Sequence, residues 1–217
     1  MQPLYADDHR PGNSPFNPET EMNAANKDLS AQIDALREIL MGHDIIRTVV
    51  ESAVQLRLSN WYLGAGCIAQ TVWNNLSGNA PSSHIQDLDF VYFDCEDLSE
   101  NGENLVSERV NRLFNGSPIP FDVKNQARVH LWYESYFGYP IQQYNSLEEA
   151  ISSWPTTATS IGVASRQGRF SVYAPYGLHD LFGMIVRPNK VQITEEIYMC
   201  KAKRWKKCWP QLTIIPW

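Results

Sequence analysis

The sequence predicts an α+β fold in which helices pack on a mixed sheet. Segments with apolar residues at helical spacing alternate along the chain with short strand-like apolar runs, which indicates strands and helices in one unit. Of the 217 residues, 43% are hydrophobic and 12% are aromatic, with seven Trp. A chain of this size and composition buries a sizeable core without disulfides or a structural metal.

The net charge and the cysteine pattern limit the binding partners and the cellular compartment that we expect for this protein. The formal net charge is −6, so there is no global basic field to gather nucleic acid, and a polyanionic partner requires a local basic patch. The four cysteines form no CxxC motif and the five histidines show no zinc-ligand spacing. We therefore expect a reduced, intracellular protein, in the cytoplasm or alternatively the nucleus. No stretch resembles a signal peptide or a membrane span, so no membrane partner is expected.

The N-terminal part is predicted to be an arm followed by a helical pair. Residues 1–25 contain four prolines and many polar residues, which indicates a flexible arm. A single domain then covers residues 26–217. It begins with one amphipathic helix over Leu29 to Leu40 and a second from Ile45 to about Leu58, for which Asp44 is the expected N-cap.

The central part alternates strands with helices. "NWYLGAG" reads as a strand that ends at glycines, and "CIAQTVWNNLSG" as a helix that Gly78 terminates. A strand over Asp87 to Phe93, a helix over Leu98 to Phe114 and a strand over Ile119 to Val123 follow. "KNQARVHLWY" is ambiguous, and "ESYFGYPIQQYN" reads as a loop.

The C-terminal part is predicted to add a helix, a hairpin and a helix–strand extension. Ser146 and Glu149 form a capping box for a helix over Leu147 to Trp154. "TSIGVASRQGRFSVYAP" has the form of a hairpin that turns near Gln167 and Gly168. After a short helix in "GLHDLFGMIV", the tail forms a helix with acidic residues first and basic residues last, then a strand at "LTII".

Asp87 and Asp89 are the first candidates for chemistry. Residues two apart in a strand share a face, so the two carboxylates lie together while Leu88 and Phe90 face the core. Carboxylates this close repel each other, and a hard divalent cation such as Mg²⁺ relieves that repulsion. The alternative for so short a pattern is a pair of salt bridges to Lys or Arg at the rim of the sheet.

Two further features accompany the aspartate pair. Gly64, Ala65 and Gly66 lie at a strand-to-helix junction, where free N–H groups at a helix start favour phosphate; the alternative is an ordinary tight turn. Ile119, Phe121 and Val123 are expected to face the core, so Asp122 faces the other way. It then points either towards the first two carboxylates or towards solvent. The order is therefore a glycine turn, a helix, a DxD strand, a helix and a strand with a third acid.

This order resembles the catalytic core of the DNA polymerase β-like nucleotidyltransferase superfamily. More closely, "GAG…TVW…DLDFVYFD…VKNQARVHLW…SLEEAISSWPTTATSIGV…APYGLHDLF" is similar to a family of uncharacterised nucleotidyltransferase-like proteins related to the head domain of CCA-adding enzymes. The resemblance extends from about Asp44 to Ile215. It implies a polymerase β-like nucleotidyltransferase fold.

The resemblance also implies roles for individual residues. Gly64, Ala65 and Gly66 would form the triphosphate turn, while Asp87, Asp89 and Asp122 would hold two Mg²⁺ or Mn²⁺ ions. The implied reaction transfers a nucleoside monophosphate from a nucleoside triphosphate to an acceptor hydroxyl and releases pyrophosphate, with Asp122 helping to deprotonate the acceptor. The candidate acceptors are an RNA 3′ end, a protein side chain and a small molecule.

Basic side chains supply the remaining candidates. Lys124 and Arg128 follow the third acid and are candidates to reach the nucleotide phosphates or the acceptor, with a solvated polar segment as the alternative. The stretch "KAKRWKKCW" interleaves cations with Trp205 and Trp209, which suits phosphate contact and base stacking but equally suits the charged outer face of a helix.

The sequence departs from the family pattern in one place. CCA-adding enzymes follow their glycines with an Arg and then an Asp or Asn, whereas this chain has Ala69 and Gln70. The departure leaves a catalytically inactive module for nucleotide sensing or protein interaction as the alternative function. A DxD glycosyltransferase is a weaker alternative, because too little chain precedes the motif for its nucleotide-binding domain and because it gives no role to Asp122.

Overall fold

The computed structural model describes residues 4–5 and 24–217. Most of the predicted N-terminal arm therefore lies outside the described residues. Within that arm, Leu4–Tyr5 form a short strand, β1, and Ala24–Asn26 form a 3₁₀ helix. Ala24 is fully buried, so ordered packing begins at least two residues before the domain start expected from the sequence.

Eight α-helices and eight strands occur within the described residues. The helices are α1 Leu29–Gly42, α2 Asp44–Ser52, α3 Ala65–Leu76, α4 Glu100–Leu113, α5 His130–Phe137, α6 Leu147–Ser152, α7 His179–Phe182 and α8 Glu195–Cys208. The strands after β1 are β2 Trp61–Gly64, β3 Leu88–Tyr92, β4 Phe121–Asn125, β5 Gly162–Arg166, β6 Arg169–Tyr173, β7 Ile185–Val186 and β8 Thr213–Ile214.

Six strands form one mixed sheet in the order β1-β6-β5-β2-β3-β4. Only the β3–β4 pair is parallel in this sheet, and α4 provides the crossover between them. A separate parallel pair joins β7 to β8 near the C-terminus. The mixed α+β architecture predicted from the sequence is confirmed.

The core lies where α3 packs on β2 and β3 and is covered in turn by α1. Trp73 of α3 is fully buried at its centre. On the sheet, the rings of Trp61 and Phe90 stack at 5.3 Å from neighbouring strands β2 and β3. This packing fixes α3 against the strands that carry the candidate site.

Local sequence signals explain most element ends. The Ser146 hydroxyl accepts a hydrogen bond from the Glu149 N–H, which confirms the N-terminal cap of α6. The hairpin between β5 and β6 turns at Gln167 and Gly168, and both have positive φ, as the favoured two-residue hairpin turn requires.

The structure corrects several boundaries. His43 rather than Asp44 caps α2, because its ring Nδ1 accepts from the Ile46 N–H, and α2 gives way to a 3₁₀ turn after Ser52. The segment predicted as a loop after Tyr133 continues α5 to Phe137, where Gly138 ends it in the left-handed conformation. Strand β4 lies two residues later than expected.

Two further findings concern the chemical environment. All four cysteines are free thiols, two exposed, one buried and one intermediate. Among the described residues, no helix combines the length and the apolar character needed to cross a membrane.

Candidate active site

Strands β3 and β4 bring two of the three predicted carboxylates together. Asp89 is paired in register with Asp122, and neighbouring strands lie about 4.8 Å apart, so the two side chains leave the same face of the sheet side by side. Leu88 and Phe90 point to the opposite face and are fully buried. Asp87 lies one residue before β3 rather than inside it, and its exposed side chain stands at the mouth of the site.

These carboxylates line a cavity of about 410 Å³. The first residues of α3 form one wall, and residues of α8 form another. The volume falls within the roughly 300–1,000 Å³ of typical small-molecule sites. The cavity is therefore large enough for a nucleotide-sized ligand.

The glycine turn has a geometry that its sequence only partly predicts. Gly64 is extended, and a Cβ there would lie 2.6 Å from the Ile161 carbonyl oxygen and 2.9 Å from the Trp154 ring. Its missing side chain is thus required by packing within the protein. The left-handed residue is Ala65, with φ of 55°, and its N–H donates to the Ile161 carbonyl at 2.9 Å.

Gly66 lies directly over the carboxylate of Asp89. A Cβ at Gly66 would be 3.9 Å from Asp89 Oδ2, and the Gly66 backbone hydrogen-bonds to the Asp89 carboxylate. Gly64, the N-cap of α3, provides no side-chain hydrogen bond to the first turn. The structure therefore places the start of α3 beside the carboxylates, as the sequence pattern suggested.

Asp89 is electrostatically strained. Burial, followed by the charges of Asp87 and Asp122, raises the pKa of Asp89 to about 7, although Lys201 and the hydrogen bond from Gly66 act in the opposite direction. The neighbouring Cys67 thiol is buried, donates to the Gly64 carbonyl at 3.0 Å, and has a pKa well above its usual value because of burial and Asp89. Cys67 therefore serves packing and is no thiolate nucleophile.

Lys124 is the cation next to the third acid. Its Nζ lies 2.9 Å from Asp122 Oδ1, and about two fifths of each side chain is exposed, 39% and 44% respectively. Within the described residues, no group of three or more His, Cys, Asp or Glu side chains is arranged to hold a metal ion as it stands. The donor chemistry nevertheless suits Mg²⁺, because the oxygens are hard and their mutual repulsion adds to burial in raising the Asp89 pKa.

Arg128 lies away from this cavity. Its guanidinium donates to Glu103 at 2.7 Å, and both side chains are about nine-tenths buried, at 11% and 10% exposure. It also donates to the Leu98 carbonyl. These contacts hold the segment after β4 against α4. Arg128 also lines a neighbouring cavity of about 530 Å³ together with Asp122 and Lys124, so its role as a phosphate ligand stays a prediction.

Helix α8 contributes two cations that sequence reasoning did not select. Lys201 and Arg204, one helical turn apart, both line the cavity. Burial and the charge of Arg204 lower the pKa of Lys201, while Asp89 and Asp87 raise it, so all four charged groups lie within electrostatic reach. The signal was present as the basic run in "KAKRWKKCW", but its alternation does not reveal which cations face inward.

Aromatic packing fixes α8 in position. Trp73 makes edge-to-face contacts with Trp205 at 5.6 Å and with Trp209 at 5.5 Å. The Trp209 indole N–H donates to Asn74 Oδ1 at 2.9 Å, and the Asn74 amide donates to two carbonyls of the loop that precedes β3. Trp209 is thus a buried anchor, whereas Trp205 packs on Trp73 and also lines the carboxylate cavity.

A second, aromatic cavity of about 200 Å³ adjoins the first on the β4 side. Asp122, Lys124 and Lys201 line both cavities. Its walls include the rings of Trp132, Tyr133, Phe137, Tyr144 and Trp154. The third acid therefore stands at the junction between the carboxylate cavity and an apolar one.

Comparison with known proteins agrees with this architecture. Residues 51–214 match a protein family described as "Nucleotidyltransferase", which is most of the chain. The chain belongs to this nucleotidyltransferase family. The match covers β2, the glycine turn and all three predicted carboxylates, and it confirms the family resemblance inferred from the sequence motifs.

A solved structure shows the same fold. An NMR structure reported to reveal a CCA-adding enzyme head domain superposes with a TM-score of 0.70 at 25% sequence identity, and the alignment covers 90% of this chain and 100% of that one. None of the curated proteins matches this chain. The polymerase β-like nucleotidyltransferase fold expected from the sequence is therefore confirmed.

Proposed function

We propose that this family member is a metal-dependent nucleotidyltransferase that moves a nucleoside monophosphate from a nucleoside triphosphate to an acceptor hydroxyl. The acceptor oxygen forms a bond to the α-phosphorus, the bond from that phosphorus to the bridging oxygen breaks, and pyrophosphate leaves. The acceptor proton passes to a carboxylate and then to solvent. Family membership and the shared fold support nucleotidyl transfer as the general reaction class.

The observation that carries this proposal is the register of β3 and β4. Asp89 stands beside Asp122 at the wall of a cavity, and the start of α3 faces them across Gly66. This arrangement suits a polyphosphate held next to bound cations.

Asp87, Asp89 and Asp122 would hold the cations. When bound, Mg²⁺ or Mn²⁺ would neutralise the charge that develops on the phosphate oxygens and orient the reacting groups. Asp122 is exposed enough to release Lys124 and turn towards a cation, since a surface ion pair is worth only about 0–1 kcal/mol. Lys124, once released, is free to contact a phosphate or the acceptor.

The chain also positions the reactants. The backbone N–H groups of the first turn of α3 would hold the phosphates, with Gly64 and Ala65 setting the angle at which the helix begins. Asp122 borders the aromatic cavity, so an acceptor hydroxyl that enters from that side would meet Asp122 first. This position suits Asp122 for accepting the acceptor proton.

A catalytically inactive module for nucleotide sensing or protein interaction is the second candidate. The ion pair between Lys124 and Asp122 favours it, because Lys124 neutralises the third acid with no need for a metal ion. The neutral Ala69 and Gln70, in the second turn of α3, favour it as well. Such a module would bind nucleotide without turnover, or would not bind it.

Two measurements test the proposal. First, thermal unfolding of the wild type and of the Asp87→Ala/Asp89→Ala double variant is recorded with and without Mg²⁺ or Mn²⁺ and each nucleoside triphosphate. We expect metal-dependent stabilisation by nucleotide in the wild type alone. Second, labelled nucleotides and Mg²⁺ are incubated with RNA, protein and small-molecule fractions, and label transfer and pyrophosphate are measured.

The outcomes separate the candidates. Metal-dependent binding with label transfer supports the transferase, and the labelled fraction identifies the acceptor class. Metal-dependent binding without transfer or pyrophosphate in any fraction supports the sensing module. Absence of nucleotide stabilisation in the wild type rejects the transferase.

A further inference from the structure

We propose that Lys201 and Arg204 of α8 bind the triphosphate of the nucleotide and supply the positive charge that the first two turns of α3 lack. This inference rests on the proposed function and names residues that neither the family match nor the sequence motif assigns. The first two turns of α3 contain no cationic side chain, and Ala69 and Gln70 lie in the second of these turns. Neither side chain carries a charge to offset that of a triphosphate.

The two residues at those positions differ in what they offer a ligand. Ala69 is fully buried in the core and faces no ligand. The side chain of Gln70 lines the cavity and is 9% exposed, and its Oε1 has no hydrogen-bond partner among the described residues. Gln70 therefore offers a neutral polar contact above Gly66, but it cannot balance the charge of a phosphate chain.

Cations reach the same cavity from the opposite wall. Lys201 and Arg204 line it together with Gly66, Gln70 and the carboxylates. Lys201 makes no salt bridge and no side-chain hydrogen bond within the described part of the chain, although it is partly buried. An ammonium group withdrawn from water without a direct partner is unfavourable, and a bound anion would relieve this.

The position of Arg204 extends the cationic wall towards the mouth of the cavity. Its guanidinium is exposed and donates only a long hydrogen bond of 3.5 Å to Gln86 Oε1. Gln86 immediately precedes Asp87, so Arg204 reaches the mouth while Lys201 lies deeper, near Asp89. A phosphate chain that leaves the metal-binding carboxylates would pass Lys201 and then Arg204.

The charges in the cavity are consistent with this assignment. Asp87, Asp89 and Asp122 face Lys124, Lys201 and Arg204, so acidic and basic groups balance without a ligand. Divalent cations would bind the carboxylates. Lys124, Lys201 and Arg204 would then be free to contact the phosphates. The cations of α8 are fixed in place because Trp205 and Trp209 anchor that helix on Trp73.

The test compares two pairs of substitutions on the same helix. Lys201→Ala/Arg204→Ala removes the two cations that line the cavity. Lys203→Ala/Lys207→Ala removes the same charge from exposed positions that do not line it. Affinity for ATP, for inorganic tripolyphosphate and for adenosine is measured by calorimetry in Mg²⁺, with thermal unfolding to verify folding.

We expect the Lys201/Arg204 variant to lose affinity for ATP and for tripolyphosphate by at least about tenfold, because hydrogen bonds from charged groups to the phosphates are lost. Its affinity for adenosine, which has no phosphate, should be unchanged. The Lys203/Lys207 variant should remain within about twofold of the wild type, because a distant exposed charge is screened by salt. Lys201→Arg should retain most of the affinity. If the double variant does not fold, Arg204→Ala alone, at an exposed position, provides the comparison.

The inference is overturned if the Lys201/Arg204 variant binds ATP as tightly as the Lys203/Lys207 variant. It is also overturned if ATP and adenosine lose affinity equally, because the cations would then act through the fold. Both results leave the proposed transferase function standing, provided that the wild type binds ATP. Failure of the wild type itself to bind any of the nucleoside triphosphates in Mg²⁺ rejects the proposed function instead.

Discussion

The raised pKa of Asp89 makes a prediction about stability in the absence of metal. The pKa of Asp89 is about 7 in the folded protein and 3.8 in the ordinary reference state, mainly because burial and the two neighbouring carboxylates disfavour the charge. Folding therefore favours protonated Asp89. Its contribution to stability is fully present below pH 4 and is lost as the pH rises through 7.

The substitution Asp89→Asn removes this unfavourable charge while keeping the shape of the side chain. A difference of about three pH units corresponds to roughly 4 kcal/mol at pH 8 as an upper limit, and water in the open cavity reduces it. At roughly 2–4 °C per kcal/mol for a chain of this size, we expect the variant to melt several degrees higher than the wild type at pH 8. At pH 5 the gain should fall below half of its value at pH 8.

Thermal or urea unfolding in EDTA at both pH values measures this difference. Asp34→Asn, at an exposed position on α1, is the matched control and should change stability by no more than about 0.5 kcal/mol at either pH. Mg²⁺ should stabilise the wild type more than the Asp89→Asn variant. A gain that is equal at pH 5 and pH 8, or a variant that is less stable than the wild type at pH 8, would refute the electrostatic account of Asp89.

Three further substitutions test individual contacts. Gly64→Ala should lower stability by about 1–3 kcal/mol, because the added Cβ would overlap the Ile161 carbonyl and the Trp154 ring. Gly42→Ala is the control and should not lower stability, because no atom lies within 4 Å of the Cβ added there. Equal melting temperatures for the two variants would contradict this prediction. Arg128→Met should cost about 3–5 kcal/mol in urea unfolding because it removes the ion-pair partner of the buried Glu103. If Arg128 acts only through this contact, ATP affinity should not change, and a loss of ATP affinity in the folded variant would establish Arg128 as a phosphate ligand. Asp122→Asn should change stability by no more than about 1 kcal/mol, because only an exposed ion pair is lost. It should lower label transfer by at least roughly a hundredfold. A variant with normal transfer would show that Asp122 has no role in the reaction.

The sequence predicted the face of each carboxylate better than the bounds of its strand. Strand β4 begins at Phe121 rather than Ile119, a shift of two residues. Because side chains alternate with a period of two, an even shift leaves Asp122 on the face to which the pattern assigned it. The parallel register that pairs Asp89 with Asp122 depends on the crossover through α4, and no local pattern specifies it.

Long-range partners were the part that the sequence did not reveal. The position of Arg128 after Asp122 predicted a phosphate ligand, and no local pattern indicated that its guanidinium pairs with Glu103, which is buried on α4. Lys201 and Arg204 belong to a basic run that also contains Lys203 and Lys207. All four side chains are cationic, but only Lys201 and Arg204 line the cavity. Helical spacing places residues on faces, but only the packing of Trp205 and Trp209 on Trp73 decides which face meets the cavity.

The acidic and most of the basic side chains of the cavity come from different elements of the fold. The carboxylates come from β3, β4 and the loop before β3, whereas two of the three cations come from a helix anchored on α3. Each set of charges partly neutralises the other, so a metal ion would compete with Lys124 for Asp122, and a nucleotide would meet the repulsion of the three carboxylates. A metal ion on the carboxylates would remove that repulsion, and a nucleotide would occupy the cations that repel the metal. The two ligands would therefore strengthen each other's binding without any change in the fold, because each supplies the counter-charge that the other set of side chains loses.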